Sequence, residues 1–159
     1  MPPLAATTRD PFRVGFAEMD LPSLRYLTQA GGRMDAATVL EGVRGIADRF
    51  AADRHERQRR ERLVPEEFDE LAAAGFLLTG VPSADGGLFE SVAASTRVVG
   101  SILNALARGD ASVALVASMH PAVLSFWHAS PEAPEQHRDA WSEQRAYVSG
   151  MAAGGSWFS

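Results

Sequence analysis

The side chains that could do chemistry in this chain are few, and their spacing narrows them further. Glu66 and Glu67 stand side by side, which suggests a carboxylate pair for proton transfer or metal binding. Adjacent residues on a helix point about 100° apart, so these two cannot readily share a proton or an ion. Behind Pro65 they read instead as first-turn acids that complement a helix dipole. His120 ends an apolar run with no nucleophile patterned around it. His128 lies across Pro121 and lacks the H-E-x-x-H spacing of a zinc helix. His120 is therefore expected to be a hydrogen-bonded residue of the core or of a pocket rim. Gly86-Gly87 closes the segment Val81-Pro-Ser-Ala-Asp-Gly-Gly87 as a turn, and a Gly-Gly turn alone does not define a phosphate cradle. Arg108-Gly109-Asp110 spells an adhesion tripeptide, but Asp110 is better placed to cap the helix that follows.

One stretch is strongly charged. Asp53 to Arg62 carries five arginines against three acids, with Asp53/Arg57 and Glu56/Arg60 at i,i+4 in the favourable acid-first order. No aromatic is interleaved, so it reads as a solvated helix end rather than an anion or RNA contact.

Composition removes whole classes of chemistry. The 159 residues contain no cysteine, which excludes a disulfide scaffold, a thiol nucleophile, an iron–sulfur cluster and a Cys-ligated zinc. All 15 basic residues are arginine, which excludes a phosphate-loop lysine and a Schiff-base lysine. A net charge of −5 argues against a nucleic-acid surface. No apolar run reaches membrane-spanning length, so a soluble cytoplasmic protein is expected. The hydrophobic share of 46% with 22% charged residues is that of a folded domain, and the length suits one.

The elements that must position these residues read as all-α. Alanine is abundant and β-branched residues are scattered. Residues 1–33, rich in proline and ending near Gly31-Gly32, read as an irregular arm with one short helical turn near Leu24 to Gln29. Asp35 caps a helix whose apolar stripe is Val39, Val43, Ile46 and Phe50, and which runs on into the arginine-rich stretch. Pro65 opens the next helix and Gly75 ends it. After the Gly-Gly turn, Leu88 to Ala107 is amphipathic, with Val92, Thr96, Val99, Leu103 and Leu106 repeating at spacings of four, three, four and three. Ala111 to His120 is apolar on nearly all sides and is expected to be buried, and Pro121 is expected to kink or restart it before Val123 to Trp127. Ser130 to Pro134 is a turn, Glu135 to Tyr147 a surface helix around Trp141, and Trp157-Phe158 the start of a short strand.

Four of these segments, in this order, resemble the acyl-CoA dehydrogenase family. Leu63-Val-Pro-Glu-Glu-Phe-Asp-Glu-Leu-Ala-Ala-Ala-Gly75-Phe resembles its P-x-x-x-x-x-x-L-x-x-x-G helix. Val81-Pro-Ser-Ala-Asp-Gly-Gly87 is similar to its P-x-x-x-G-G loop. Arg108-Gly-Asp-Ala-Ser to His120 is similar to its central helix, and Trp141 to Gly150 to the segment before its domain boundary. The likeness covers about residues 35–155.

The resemblance implies that residues 34–155 form the family's N-terminal helical domain, after an arm at 1–33 and with a missing β-domain starting at 156–159. It implies an FAD-dependent oxidoreductase that desaturates acyl-CoA thioesters and forms a homo-oligomer when complete. In such an enzyme this domain lines the acyl pocket, at positions that carry over to Ala114, Leu115 and Ser118. Those three could equally pack against Val99 and Leu103. The family's flavin segment and the domain of its catalytic glutamate have no counterpart here. The chain is thus expected to need complementary domains for activity and not to hold FAD alone. The competing expectation is a stand-alone helical interaction module or a non-catalytic truncated product.

Overall fold

The structure, a computed structural model, describes residues 34–129 and 133–158. The expected arm and its helical turn at Leu24 to Gln29 lie outside these residues, as does part of the turn at Ser130 to Pro134. Six α-helices make up the described chain: α1 Ala36–Ala52, the single turn α2 Arg54–Arg57, α3 Pro65–Ala73, α4 Val92–Gly109, α5 Ala111–Ala129 and α6 Arg138–Ala153. The fold is all-α. Among the described residues the only β-type pairing is an isolated bridge between Pro82 and Phe89.

Local sequence sets the helix ends. The Asp35 side chain accepts a hydrogen bond from the Thr38 amide at 2.8 Å and starts α1. Pro65 occupies the first turn of α3, where its missing N–H costs nothing. Gly75 follows α3 at φ 84°, a left-handed conformation that glycine adopts without strain, and Met34 and Val39 crowd its missing Cβ. Ser91 caps α4 by accepting from the Ala94 amide, and the Asp110 carboxylate caps α5 by accepting from Ser112 and Val113 at 2.8 and 3.1 Å.

The core forms where α1 crosses α4 and α4 packs on α5. Val39, Val43, Ile46 and Phe50 are buried, as their spacing predicts. They meet Leu71, Phe76, Ile102, Leu106, Val113, Ala114 and Ala117. α1 and α4 approach most closely at Gly109, where a Cβ would stand 2.4 Å from the Ala47 carbonyl oxygen. A smaller cluster joins Val81, Leu124, Val148 and Ala152, which holds α6 against the far half of α5.

Three elements differ from the sequence reading. α5 runs through Pro121 without a break. The proline deletes one backbone donor, but Val113, Ala114 and Ala117 before it and Leu124 after it bury a common side, and that burial outweighs the lost bond. α5 is also not buried all round, since Leu115 is 70% exposed and Phe126 66%. The strand expected at Trp157-Phe158 is absent from the described residues. Trp157 turns inward instead, edge-on to Phe68 at 5.3 Å and stacked on Phe76 at 5.5 Å.

The third difference is the arginine-rich stretch. Helix α1 stops at Ala52, and Arg57 is not solvated: its side chain is 7% exposed. Its Nη1 donates to Glu67 Oε1 at 2.5 Å and its Nε to Asp110 Oδ2 at 2.8 Å, while the guanidinium lies 3.7 Å over the Phe50 ring. Arg60 donates to the same Glu67 oxygen at 2.7 Å. Glu67 is therefore a buried partner rather than only a dipole-complementing acid. The Glu56/Arg60 pair forms as expected, at 3.6 Å, whereas Arg57 leaves Asp53 for the two carboxylates inside. Burial alone would push the Asp110 carboxyl up, but the Val113 amide, Arg57 and the Ser112 amide outweigh it and hold it below its usual value.

Removing one partner of such a buried cluster leaves uncompensated charge, which costs roughly 3–5 kcal/mol. Arg57→Met is expected to lower the urea midpoint by an amount of that order. Arg49→Met, which breaks an exposed ion pair with Glu70, is expected to cost less than about 1 kcal/mol. Equal midpoints for the two variants would contradict the buried role.

Candidate functional site

Helix α4 carries two apolar faces. Ile102 and Leu106 point into the core, and Ser95 and Gly109 are buried with them. The stripe read from the sequence, Val92, Thr96, Val99 and Leu103, faces a different place: a groove between α4 and α5. Only Leu106 of that stripe is fully buried. The groove has a volume of about 380 Å³, and Ser118, Pro121, Ala122 and Ser125 of α5 form its opposite wall. Thr79 and Phe89, from the loop between α3 and α4, line it as well.

The groove is more apolar than its hydroxyl residues suggest. Thr79 Oγ1 donates to the Phe76 carbonyl at 2.7 Å, and Thr96 Oγ1 to Val92. Ser118 Oγ donates to Leu115 at 2.7 Å and Ser125 Oγ to Ala122 at 2.9 Å. Ser95 Oγ accepts from the Glu90 amide at 2.9 Å and faces the Leu88 carbonyl. Each hydroxyl hydrogen is spent on a nearby carbonyl, so the walls offer methyl and methylene surface with no free donor. Such a lining suits an alkyl chain and not a sugar or a phosphate.

The three pocket-wall residues inferred from sequence do not come together. Ser118 lines the groove. Ala114 is buried in the core beside Ile102 and Leu106. Leu115 lies on the outer side of α5, where it forms an exposed stripe with Met119 and Phe126 at i, i+4 and i+11. The groove residues Val99 and Leu103 were legible, but as core. The signal that separates the two faces is the second stripe one residue back, at Ser95, Val98 and Ile102.

His120 is fully buried and hydrogen-bonded on both ring nitrogens. Nε2 lies 3.0 Å from the Leu77 carbonyl oxygen, and Nδ1 accepts from the Phe158 amide at 3.1 Å. This pair fixes the neutral Nε2–H tautomer and leaves no lone pair for a metal or a substrate proton. Trp157 packs edge-on against the ring at 5.4 Å. His120 is thus the hydrogen-bonded core residue that its position suggests. Burial pushes its pKa below the usual value, against a smaller opposing effect of the Leu77 carbonyl. Among the described residues, no group of three or more His, Asp or Glu side chains is arranged to hold a metal ion.

The Gly-Gly turn is no anion cradle either. Gly86 N–H bonds to Ser83, Gly87 N–H to Pro82 and Leu88 N–H to Leu78, so its amides are used internally. Gly87 lies so close to Val81 that a Cβ would stand 2.0 Å from the Val81 carbonyl oxygen. The Gly-Gly turn therefore does not fit the diphosphate of a flavin dinucleotide.

What the fold and site define together is a helical domain whose two central helices enclose a donor-free apolar groove. No described helix is long and apolar enough to cross a membrane. Residues 34–150 match the family model described as acyl-CoA dehydrogenase, N-terminal domain, and the chain belongs to that family. Comparison with curated proteins and with solved structures gives no match.

His120 makes a pH dependence testable. Its folded pKa lies below the unfolded value of about 6.5, so the unfolded chain takes up the proton first as pH falls. The stability it confers is complete above about pH 6.5 and is lost progressively below. Denaturant midpoints measured from pH 7.5 to 5 are expected to decline, and His120→Gln is expected to flatten part of that decline. An unchanged slope in the variant would remove His120 as a source.

Proposed function

We propose that this chain is the N-terminal helical part of an FAD-dependent acyl-CoA dehydrogenase-like oxidoreductase, and that the α4–α5 groove forms one wall of its acyl pocket. The observation that carries this reading is the donor-free lining: Val99, Leu103, Pro121 and Ala122 supply apolar surface, and every groove hydroxyl is turned to its own backbone. An alkyl chain gains about 0.8 kcal/mol per buried methylene from such walls and loses no hydrogen bond to them. Ser118 belongs to the wall, with Ala114 behind it as packing support. FAD, which supplies the redox chemistry in the family, would be held by domains other than this one. The exposed stripe of Leu115, Met119 and Phe126 is the surface those domains would cover.

The alternative is a stand-alone helical interaction module. It is favoured by the same exposed stripe and by the inward-turned Trp157, which finishes the core within this chain.

Titration with a fluorescent fatty acyl-CoA decides between them. Binding that Leu103→Glu weakens at least roughly tenfold, and that Ser118→Ala leaves within about twofold, is expected for an apolar wall. No binding by the parent chain, or a large loss in Ser118→Ala, would favour the module. The purified chain is expected to show no flavin absorbance, and one FAD per chain would refute the assignment of flavin to other domains.

A further inference from the structure

A second groove flanks α4 beyond Thr96 and Gly100, which border both grooves, and it has a different character. It lies between α1 and α4, has a volume of about 630 Å³, and is lined by Arg44 and Asp48 on one side and by Arg97, Asn104 and Arg108 on the other. Small residues, among them Ala47, Ala51, Gly100 and Ala105, form the rest of its surface. It continues past Arg108 and Gly109 into a smaller recess of about 330 Å³ that adds Arg54.

The charge balance here is the reverse of the chain's. The chain carries 20 acids against 15 arginines, yet three arginines converge on this groove against a single aspartate. Outside it, Arg49 meets Glu70, Arg57 meets Glu67 and Asp110, and Arg60 meets Glu56 and Glu67, while Arg59, Arg62 and Arg138 form no ion pair with an acid among the described residues. Arg44, Arg97 and Arg108 have no acidic partner among the described residues, and the Asn104 amide has no hydrogen bond there. Arg54 is already turned toward this end, where its Nη2 donates to the Arg108 carbonyl at 2.8 Å.

Like charges gathered in a cleft repel one another, and the cleft focuses their field on anything that enters. Arg97 and Arg108 are eleven residues apart on one helix, about 16 Å along its axis and on nearly the same face. Their side chains are long enough to bend toward a common ligand between them, with Arg44 opposite. Planar guanidinium groups match phosphate oxygens in pairs. No aromatic residue lines the groove, so it offers no stacking surface for a nucleic-acid base.

We propose that the α1–α4 groove is a binding site for a di- or oligophosphate anion, held by Arg44, Arg97 and Arg108 with Asn104 as a neutral donor. Asp48 opposes the ligand charge and limits its affinity.

Calorimetric titration of the full chain with inorganic pyrophosphate, at constant ionic strength, tests the site. Saturable binding at one site per chain is expected. Arg44→Gln and Arg97→Gln are each expected to weaken it roughly tenfold, as loss of a charge-assisted contact does. Asp48→Asn is expected to tighten it. Arg62→Gln, an exposed arginine outside the groove, is expected to change it by less than about twofold. All four positions are exposed, so folding is preserved and is checked by circular dichroism. Absence of saturable binding would overturn the proposal, as would equal losses in Arg62→Gln and Arg97→Gln. Tighter binding of single-stranded RNA or of an acidic peptide than of pyrophosphate, abolished by the same groove variants, would replace it with a macromolecular site. None of these outcomes bears on the acyl reading, whose variants at Leu103 and Ser118 line the α4–α5 groove and not this one.

Discussion

One guanidinium links α1, α3 and the corner between α4 and α5. Arg57 sits just beyond the end of α1 and ties three parts of the chain together: Glu67 in α3, Asp110 at the α4–α5 corner, and the Phe50 ring in the core. Its partner Asp110 does double duty, since one oxygen meets Arg57 and the other caps α5. The register of α5 is therefore linked electrostatically to a turn more than fifty residues earlier in sequence. Buried ion clusters are weak sources of net stability, because desolvation offsets the attraction, but they discriminate strongly against wrong arrangements. Glu67 Oε2 remains buried without a hydrogen bond, a sign of a geometry set by the helices rather than by the ions.

Helix α4 shows how this architecture separates functions. Its core face meets α1 through Ile102 and Leu106, and its second apolar face opens toward α5. The polar side carries Arg97, Asn104 and Arg108 toward the other groove. One 18-residue helix thus borders an apolar and a cationic recess at once. The close approach at Gly109 brings α1 and α4 together at one end of the cationic groove, and the small residues along it leave space.

Much of this was legible in the sequence wherever a single physical rule dominated. Asp35, Pro65, Gly75 and Asp110 mark helix ends because capping and backbone dihedrals are local properties. The stripe Val39, Val43, Ile46 and Phe50 is core because only one face of α1 is apolar. Periodicity misled where a helix is apolar on more than one side. It gave Val92, Thr96, Val99, Leu103 and Leu106 as one stripe, although only Leu106 is fully buried and Leu103 borders both the groove and the core, and it did not separate the groove wall of α5 from its outer stripe. Arg57 was read as solvated because the charges in its own segment were visible and its partners, ten and fifty-three residues away, were not. Of the inferred pocket wall, Ser118 reaches the groove, while Ala114 and Leu115 fall on either side of it because adjacent helix positions diverge by about 100°.

The imidazole of His120 works as a rivet through the domain. On one side it grips the Leu77 carbonyl, on the other the Phe158 amide, and it is itself rigid within α5. Leu77 and Phe158 are thereby fastened to the helix that walls the α4–α5 groove. Pro121, the very next residue, is in that wall. Displacing the Phe158 amide would strip His120 Nδ1 of its donor one residue away from the groove wall.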